Sequence, residues 1–253
     1  MAYLASSETH RDAPHRGRFN AAARQLAALA AAGLLLVLAV ASFLVGPDPA
    51  ALGGALAVYG AGAALAVMGM NAHYPHQVLG AANVVTLLRL MLVASLVAAL
   101  VGTADPWSVL AIAALVLSMD GVDGWLARRQ GLVSRFGGQF DMEVDSLFAL
   151  TLALAVWLMG HAPIAVLLLG LPRYAFGLAG WVWPWINRPV PDSFSRKLAC
   201  VVQIGTLIAL LVPQIATHAA LPLITVALGG LALSFGRDIR MLRAMRDRAA
   251  PQG

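Results

Sequence analysis

The strongest constraint on the fold is a series of eight apolar stretches, each approaching the roughly 20 residues that a helix needs to cross a bilayer. They fall near residues 25–45, 50–70, 79–102, 107–126, 138–159, 163–185, 198–214 and 220–236. Inside lipid every backbone N–H and C=O must be paired within the protein, so the expectation is an all-α polytopic membrane bundle of about eight transmembrane helices. Helix punctuation separates the stretches, as at Gly46-Pro47-Asp48-Pro49 and Thr103 to Pro106. Charged residues are only 11% of the chain, against about 25% in soluble proteins, which excludes an ordinary soluble domain. The single cysteine, Cys200, excludes an internal disulfide. More spans follow the first apolar stretch, so no removable signal peptide is expected.

Basic residues orient the bundle. With both termini in the cytoplasm, none of the 17 Lys and Arg residues falls in the outer loops near 46–49, 103–106, 160–162 and 213–219, the positive-inside pattern. Residues 127–136 then lie at the cytoplasmic surface. Basic loops and the tail "GRDIRMLRAMRDR" against anionic headgroups account for the net charge of +5. No motif points to nucleic acid as a partner.

Against this apolar background, residues 118–147, "SMDGVDGWLARRQGLVSRFGGQFDMEVDSL", hold four aspartates and a glutamate. Asp120 and Asp123 are three apart at the end of the fourth stretch; Asp141 and Asp145 are four apart at the start of the fifth. Each interval is expected to put its pair on one helix face, and the turn between them can bring all four carboxylates together. Such acids cost about 2.5–3.5 kcal/mol each at a helix centre, and four together repel. One or two divalent cations, Mg²⁺ or Mn²⁺, would reverse that repulsion, because hard carboxylate oxygens suit them. Gly121, Gly124, Gly137 and Gly138 remove bulk beside the acids, and Arg128 is placed to complement a phosphate. Glu143, two residues from Asp141 and from Asp145, points away from their stripe. The bland alternative is that the acids are solvated or pair with Arg128, Arg129 or Arg135. A transporter or ion pathway is the competing function, but it predicts acids spread through the membrane's depth, and these cluster at one face. His73, His76, His161 and His218 lack ligand spacing.

As a pattern the run reads D-x2-D-G-x2-A-R-x8-G-x3-D-x3-D, filled by Asp120, Asp123, Gly124, Ala127, Arg128, Gly137, Asp141 and Asp145. It resembles the signature of the CDP-alcohol phosphotransferase (CDP-alcohol phosphatidyltransferase) family, membrane enzymes that make phospholipids. Asn83, Thr86 and Arg89 are similar to the N-x2-T-x2-R that opens the family's core; alone, they read as a helix cap and a snorkelling arginine. The resemblance spans about residues 78–236. It implies a six-helix core (78–236); outside it, the apolar stretches and basic residues give a basic cytoplasmic segment (1–24), two additional N-terminal helices (25–77) and a basic cytoplasmic tail (237–253).

The activity so implied moves a phosphatidyl group from CDP-diacylglycerol to the hydroxyl of a small polar alcohol, releasing CMP. Asp120, Asp123, Asp141 and Asp145 would hold the metal, with Asp145 also the general base. Asn83, Thr86, Gly124, Ala127, Arg128 and Gly137 would contact nucleotide and diphosphate. A charge as deep as Arg173 usually faces a polar cavity; with Arg135, Arg196 and Lys197 it is the candidate reader of an anionic acceptor such as glycerol 3-phosphate or an inositol phosphate, the alternative for Arg173 being a structural ion pair or a hydrogen-bonded helix break. Ser146 stands where several lipid-synthesising members carry a basic residue, and "RKLACVVQ" keeps only Lys197 and Gln203 of G-K-x-K-T-x2-Q, which leaves the acceptor open. The resemblance further implies a homodimer among membrane lipids, in a bacterial inner membrane with the active site on the cytoplasmic side. A catalytically inactive lipid-binding member is the remaining alternative, and the complete set of acids argues against it.

Overall fold

The computed structural model describes residues 20–183, 185 and 194–249, with the side chains of residues 194, 197 and 246–249 excepted. The described residues form α1 (Ala21–Val45), α2 (Pro49–His73), α3 (Ala81–Val97), α4 (Pro106–Met119), α5 (Val122–Gln130), α6 (Arg135–Leu158), α7 (Leu167–Gly170), α8 (Pro172–Val182), α9 (Phe194–Leu211) and α10 (Pro213–Ala249), and no strand. The chain is an all-α polytopic membrane bundle. Five segments are each long and apolar enough to cross a membrane: 21–45, 49–73, 81–100, 106–130 and 213–245. The helices at 164–170 and 172–182, bent by 64° at their junction, make a sixth if counted as one span. The other two stretches read from the sequence correspond to α6, whose first half carries the acids, and α9, whose apolar part runs only Leu198–Leu211.

Local chemistry sets the helix starts. Asp48 and Asp105 accept hydrogen bonds from Ala50 N and Ser108 N at the starts of α2 and α4, each followed by a proline at the first helical position. Ser134 caps α6 by accepting from Gly137 N at 3.0 Å. Two sequence readings need correction. The outer loop expected at 213–219 is absent, because Pro213 already opens α10, and that helix continues through the basic residues expected to form a separate tail. The fourth span is also not one helix: Asp120 ends α4 in an extended conformation, and Gly121 takes φ +81° before α5 begins. That left-handed conformation suits glycine. Asp120 and Asp123 therefore lie on either side of a break instead of on one helix face.

At the centre stands α3, packed against α1, α2, α4, α5 and α6. The α1–α2 hairpin is closed by Tyr59, whose buried hydroxyl donates to Ala30 O at 2.9 Å. Gly33 makes room there, since a Cβ would lie 2.3 Å from both the Tyr59 hydroxyl and the Met91 terminal methyl. On the other side α9 and α10 pair, and α9 also packs on α4 and α6. At the α7–α8 bend Pro172 supplies no N–H, and beside it the carbonyl of Leu169 accepts from the buried side-chain amide of Gln203. Leu35, Phe43, Leu65 and Trp181 point outward, as suits lipid-facing positions.

Candidate active site

One chain break, one helix stripe and one arginine build the site. The break at Gly121 presents Asp120 from the end of α4 and Asp123 from the first turn of α5, while α6 presents Asp141 and Asp145 on one stripe. Between them, from α3, comes Arg89. It is 1% exposed and does not snorkel. Its Nη1 donates to Asp123 Oδ2 at 2.8 Å and to Asp141 Oδ1 at 2.5 Å. Its Nη2 hydrogen-bonds Asp145 and lies 3.4 Å from Asp120 Oδ1. One guanidinium thus gathers all four acids, and the pairing with Arg128, Arg129 or Arg135 considered from the sequence is replaced by this one. Arg129 instead lies over the Trp125 ring, 5.0 Å from its centroid.

Arg89 was the residue that sequence reasoning left out of the site. Its signal was present: a charge deep in an apolar helix, in register with Asn83 and Thr86, facing a group with too much negative charge. The four acids are not equivalent. Asp123 is buried, with its side chain 6% exposed; besides Arg89, its oxygens accept from Gly124 N at 2.7 Å and Thr86 Oγ1 at 3.3 Å. Asp120 and Asp145, 46% and 44% exposed, are the more open pair.

The donor set fits a hard divalent cation. Asp120, Asp141 and Asp145 each offer an oxygen within 4.8 Å of the others. An octahedral Mg²⁺ with bonds of about 2.1 Å holds adjacent oxygens about 3 Å apart and opposite ones about 4.2 Å apart, so the trio would close by up to roughly 2 Å to share one ion. Arg89 offsets only one of four carboxylate charges, which leaves a strongly anionic centre suited to a further cation. Asp123 lies outside the trio, its oxygens already engaged.

Beside the acids lies a cavity of about 270 Å³. All six residues expected at the nucleotide and diphosphate, Asn83, Thr86, Gly124, Ala127, Arg128 and Gly137, line it, together with Asp123 and Asp141. Gly137 needs to be small: a Cβ there would sit 3.2 Å from Ser134 Oγ and 3.3 Å from Asn83 Oδ1. The acceptor candidates are not gathered in the same way. Arg173 pairs with Glu143 at 2.5 Å, on the face of α6 turned away from the acid stripe. Arg196 Nε lies 3.4 Å from Asp238 Oδ2, between α9 and α10. Arg135 is exposed at the start of α6, and the side chain of Lys197 lies outside the described residues.

A family model described as CDP-alcohol phosphatidyltransferase matches residues 79–234. The chain belongs to that family. No curated protein and no solved structure matches it. Family membership makes the chain a membrane transferase of phospholipid synthesis that moves a phosphatidyl group from a CDP-alcohol, and the carboxylate cluster is consistent with the divalent metal such enzymes use.

Proposed function

We propose that this CDP-alcohol phosphatidyltransferase takes CDP-diacylglycerol as donor and a small polar, anionic alcohol as acceptor, at the cytoplasmic face of its membrane. One observation carries the reading: the Arg89-centred carboxylates stand directly beside a cavity whose small and polar lining leaves room for a nucleotide diphosphate. In this reading residues 78–236 are the six-helix core, preceded by a basic segment (1–24) and two further helices (25–77), and residues 237–253 are a basic cytoplasmic extension. A bacterial inner membrane and a homodimer accompany the proposal.

The roles follow from position. Asn83, Thr86, Gly124, Ala127 and Gly137 admit and orient the cytidine, and Arg128 meets the diphosphate. Asp120, Asp141 and Asp145, with Asp123 in support, would hold one or two Mg²⁺ or Mn²⁺ ions. When bound, the metal supplies charge neutralisation on the diphosphate and the departing CMP. Arg89 fixes the carboxylates and spreads its positive charge among them. Asp145, half open, takes the proton of the acceptor hydroxyl as its oxygen bonds to the phosphorus that carries diacylglycerol; the bridging P–O bond breaks and its electrons leave with CMP. Arg135, Arg173, Arg196 and Lys197 would draw in the acceptor's anionic group, Arg173 only after leaving Glu143. Incubating the purified protein with CDP-diacylglycerol, Mg²⁺ or Mn²⁺ and a panel of neutral and phosphorylated alcohols tests this. CMP and a new phospholipid should form with a phosphorylated alcohol; CMP release with neutral alcohols alone would overturn the acceptor assignment.

A further inference from the structure

Two walls of the donor cavity are helix starts, that of α3 with Asn83 and Thr86 and that of α6 with Gly137 and Asp141. Both are held by the α1–α2 hairpin, which precedes the residues matched by the family model. At α3, Leu79 N donates to the side-chain oxygen of Gln25 on α1 at 3.1 Å. The hydroxyl of Tyr74, at the end of α2, lies 3.3 Å from where a Cβ on Gly80 would stand. At α6, the buried Tyr74 ring meets Phe136 edge-on, 6.0 Å between centroids. Gly69 of α2 also sits close beneath Phe136: a Cβ there would be 3.0 Å from its ring. Phe136 stacks in turn on Phe140, and these two rings immediately precede Gly137 and Asp141 along α6.

We propose that Tyr74 is a positioning residue for the donor site: its ring holds the start of α6 against the end of α2, which itself packs on α3, and so sets the width of the cavity that receives the nucleotide diphosphate. The end of α2 at Tyr74, and not the hairpin's interior at Tyr59, is then more than an added anchor. The proposal rests on the donor reading above. Its reason is geometric, because a shift of about 1 Å distant from the chemistry can cost on the order of a hundredfold in rate.

The test uses the full chain in nanodiscs and compares Tyr74→Ala, Tyr74→Phe and Tyr59→Phe. Tyr59→Phe loosens the hairpin through its own buried hydrogen bond, away from the cavity. Donor KM in CMP release and thermal stabilisation by CDP-diacylglycerol with Mn²⁺ are both read, the second requiring no acceptor. Tyr74→Ala should raise donor KM about tenfold and weaken the stabilisation; Tyr74→Phe, which keeps the ring, should restore both. Tyr59→Phe should lower Tm with donor KM unchanged. The proposal is overturned if Tyr74→Ala lowers Tm and leaves donor KM and donor stabilisation at wild-type values. If Tyr74→Ala does not fold, Phe136→Leu, which keeps apolar volume and loses the ring, is held to the same criterion. Donor stabilisation that depends on Tyr74 without CMP release from any alcohol would refute the transfer reading and keep the positioning role; no donor stabilisation of the wild type would refute both.

Discussion

Arg89 decides whether four aspartates can share one corner of a membrane protein. Its guanidinium is buried and touches each of them, so its removal leaves carboxylates that repel without compensation. Breaking a buried ion pair by deleting one partner costs about 3–5 kcal/mol. Arg89→Ala is expected to lose stability on that scale, read as a fall in Tm in detergent, and to lose activity with it. Asp145 behaves differently, because it is half open and its proposed task is proton transfer. Asp145→Asn should lower kcat by about 10²–10⁴ and, because Asp145 is also a proposed metal ligand, weaken the rise in Tm that CDP-diacylglycerol with Mn²⁺ gives; unchanged kcat would remove it as the base. Asp141 and Asp145 were legible in the sequence because four residues make one helical turn, whereas the cavity residues were implied by the resemblance of the whole pattern to a family signature. Arg89 was not, because a lone arginine in an apolar helix reads equally as a snorkelling side chain until its partners from other elements are placed around it.

Among the elements, the informative departures are breaks. The pair Asp120-Gly121 carries a turn signal, but the apolar residues on both sides read as one span, and the extended Asp120 with the positive φ of Gly121 separates α4 from α5. Periodicity cannot report a single residue's backbone sign. The reverse error occurred at Val212-Pro213, where proline marks the first turn of α10 and not a loop. At the α7–α8 bend Pro172 signalled a break, but the partner that supports it, the Gln203 amide on the Leu169 carbonyl, lies 34 residues on in the chain. Gly170 lets α7 approach α6: a Cβ there would meet Leu150 Cα at 2.9 Å and Ala153 Cβ at 3.0 Å. Neither neighbour can swing aside. Gly170→Ala should therefore cost about 1–3 kcal/mol by overpacking, seen as a lower Tm, whereas Gly177→Ala, with nothing within 4 Å, should not.

At the scale of the whole molecule, the apolar stretches and the basic residues together specify an all-α membrane bundle, and the described helices agree with that class. Its orientation is a prediction. In a Cys200→Ser background, an impermeant thiol reagent applied to intact cells should label Thr103→Cys and spare Arg129→Cys; the opposite pattern would invert the protein and move the acids to the outer face. The central claim is that α4, α5 and α6 aim their acids around Arg89 so that a divalent ion and a donor diphosphate share one place. Electron paramagnetic resonance of Mn²⁺ titrated into the purified protein tests it most directly. The account predicts bound Mn²⁺ with oxygen ligands, a spectrum that changes when CDP-diacylglycerol is added, and loss of binding in Asp141→Asn. Mn²⁺ that stays free in the wild type, or that binds equally in Asp141→Asn, would contradict it.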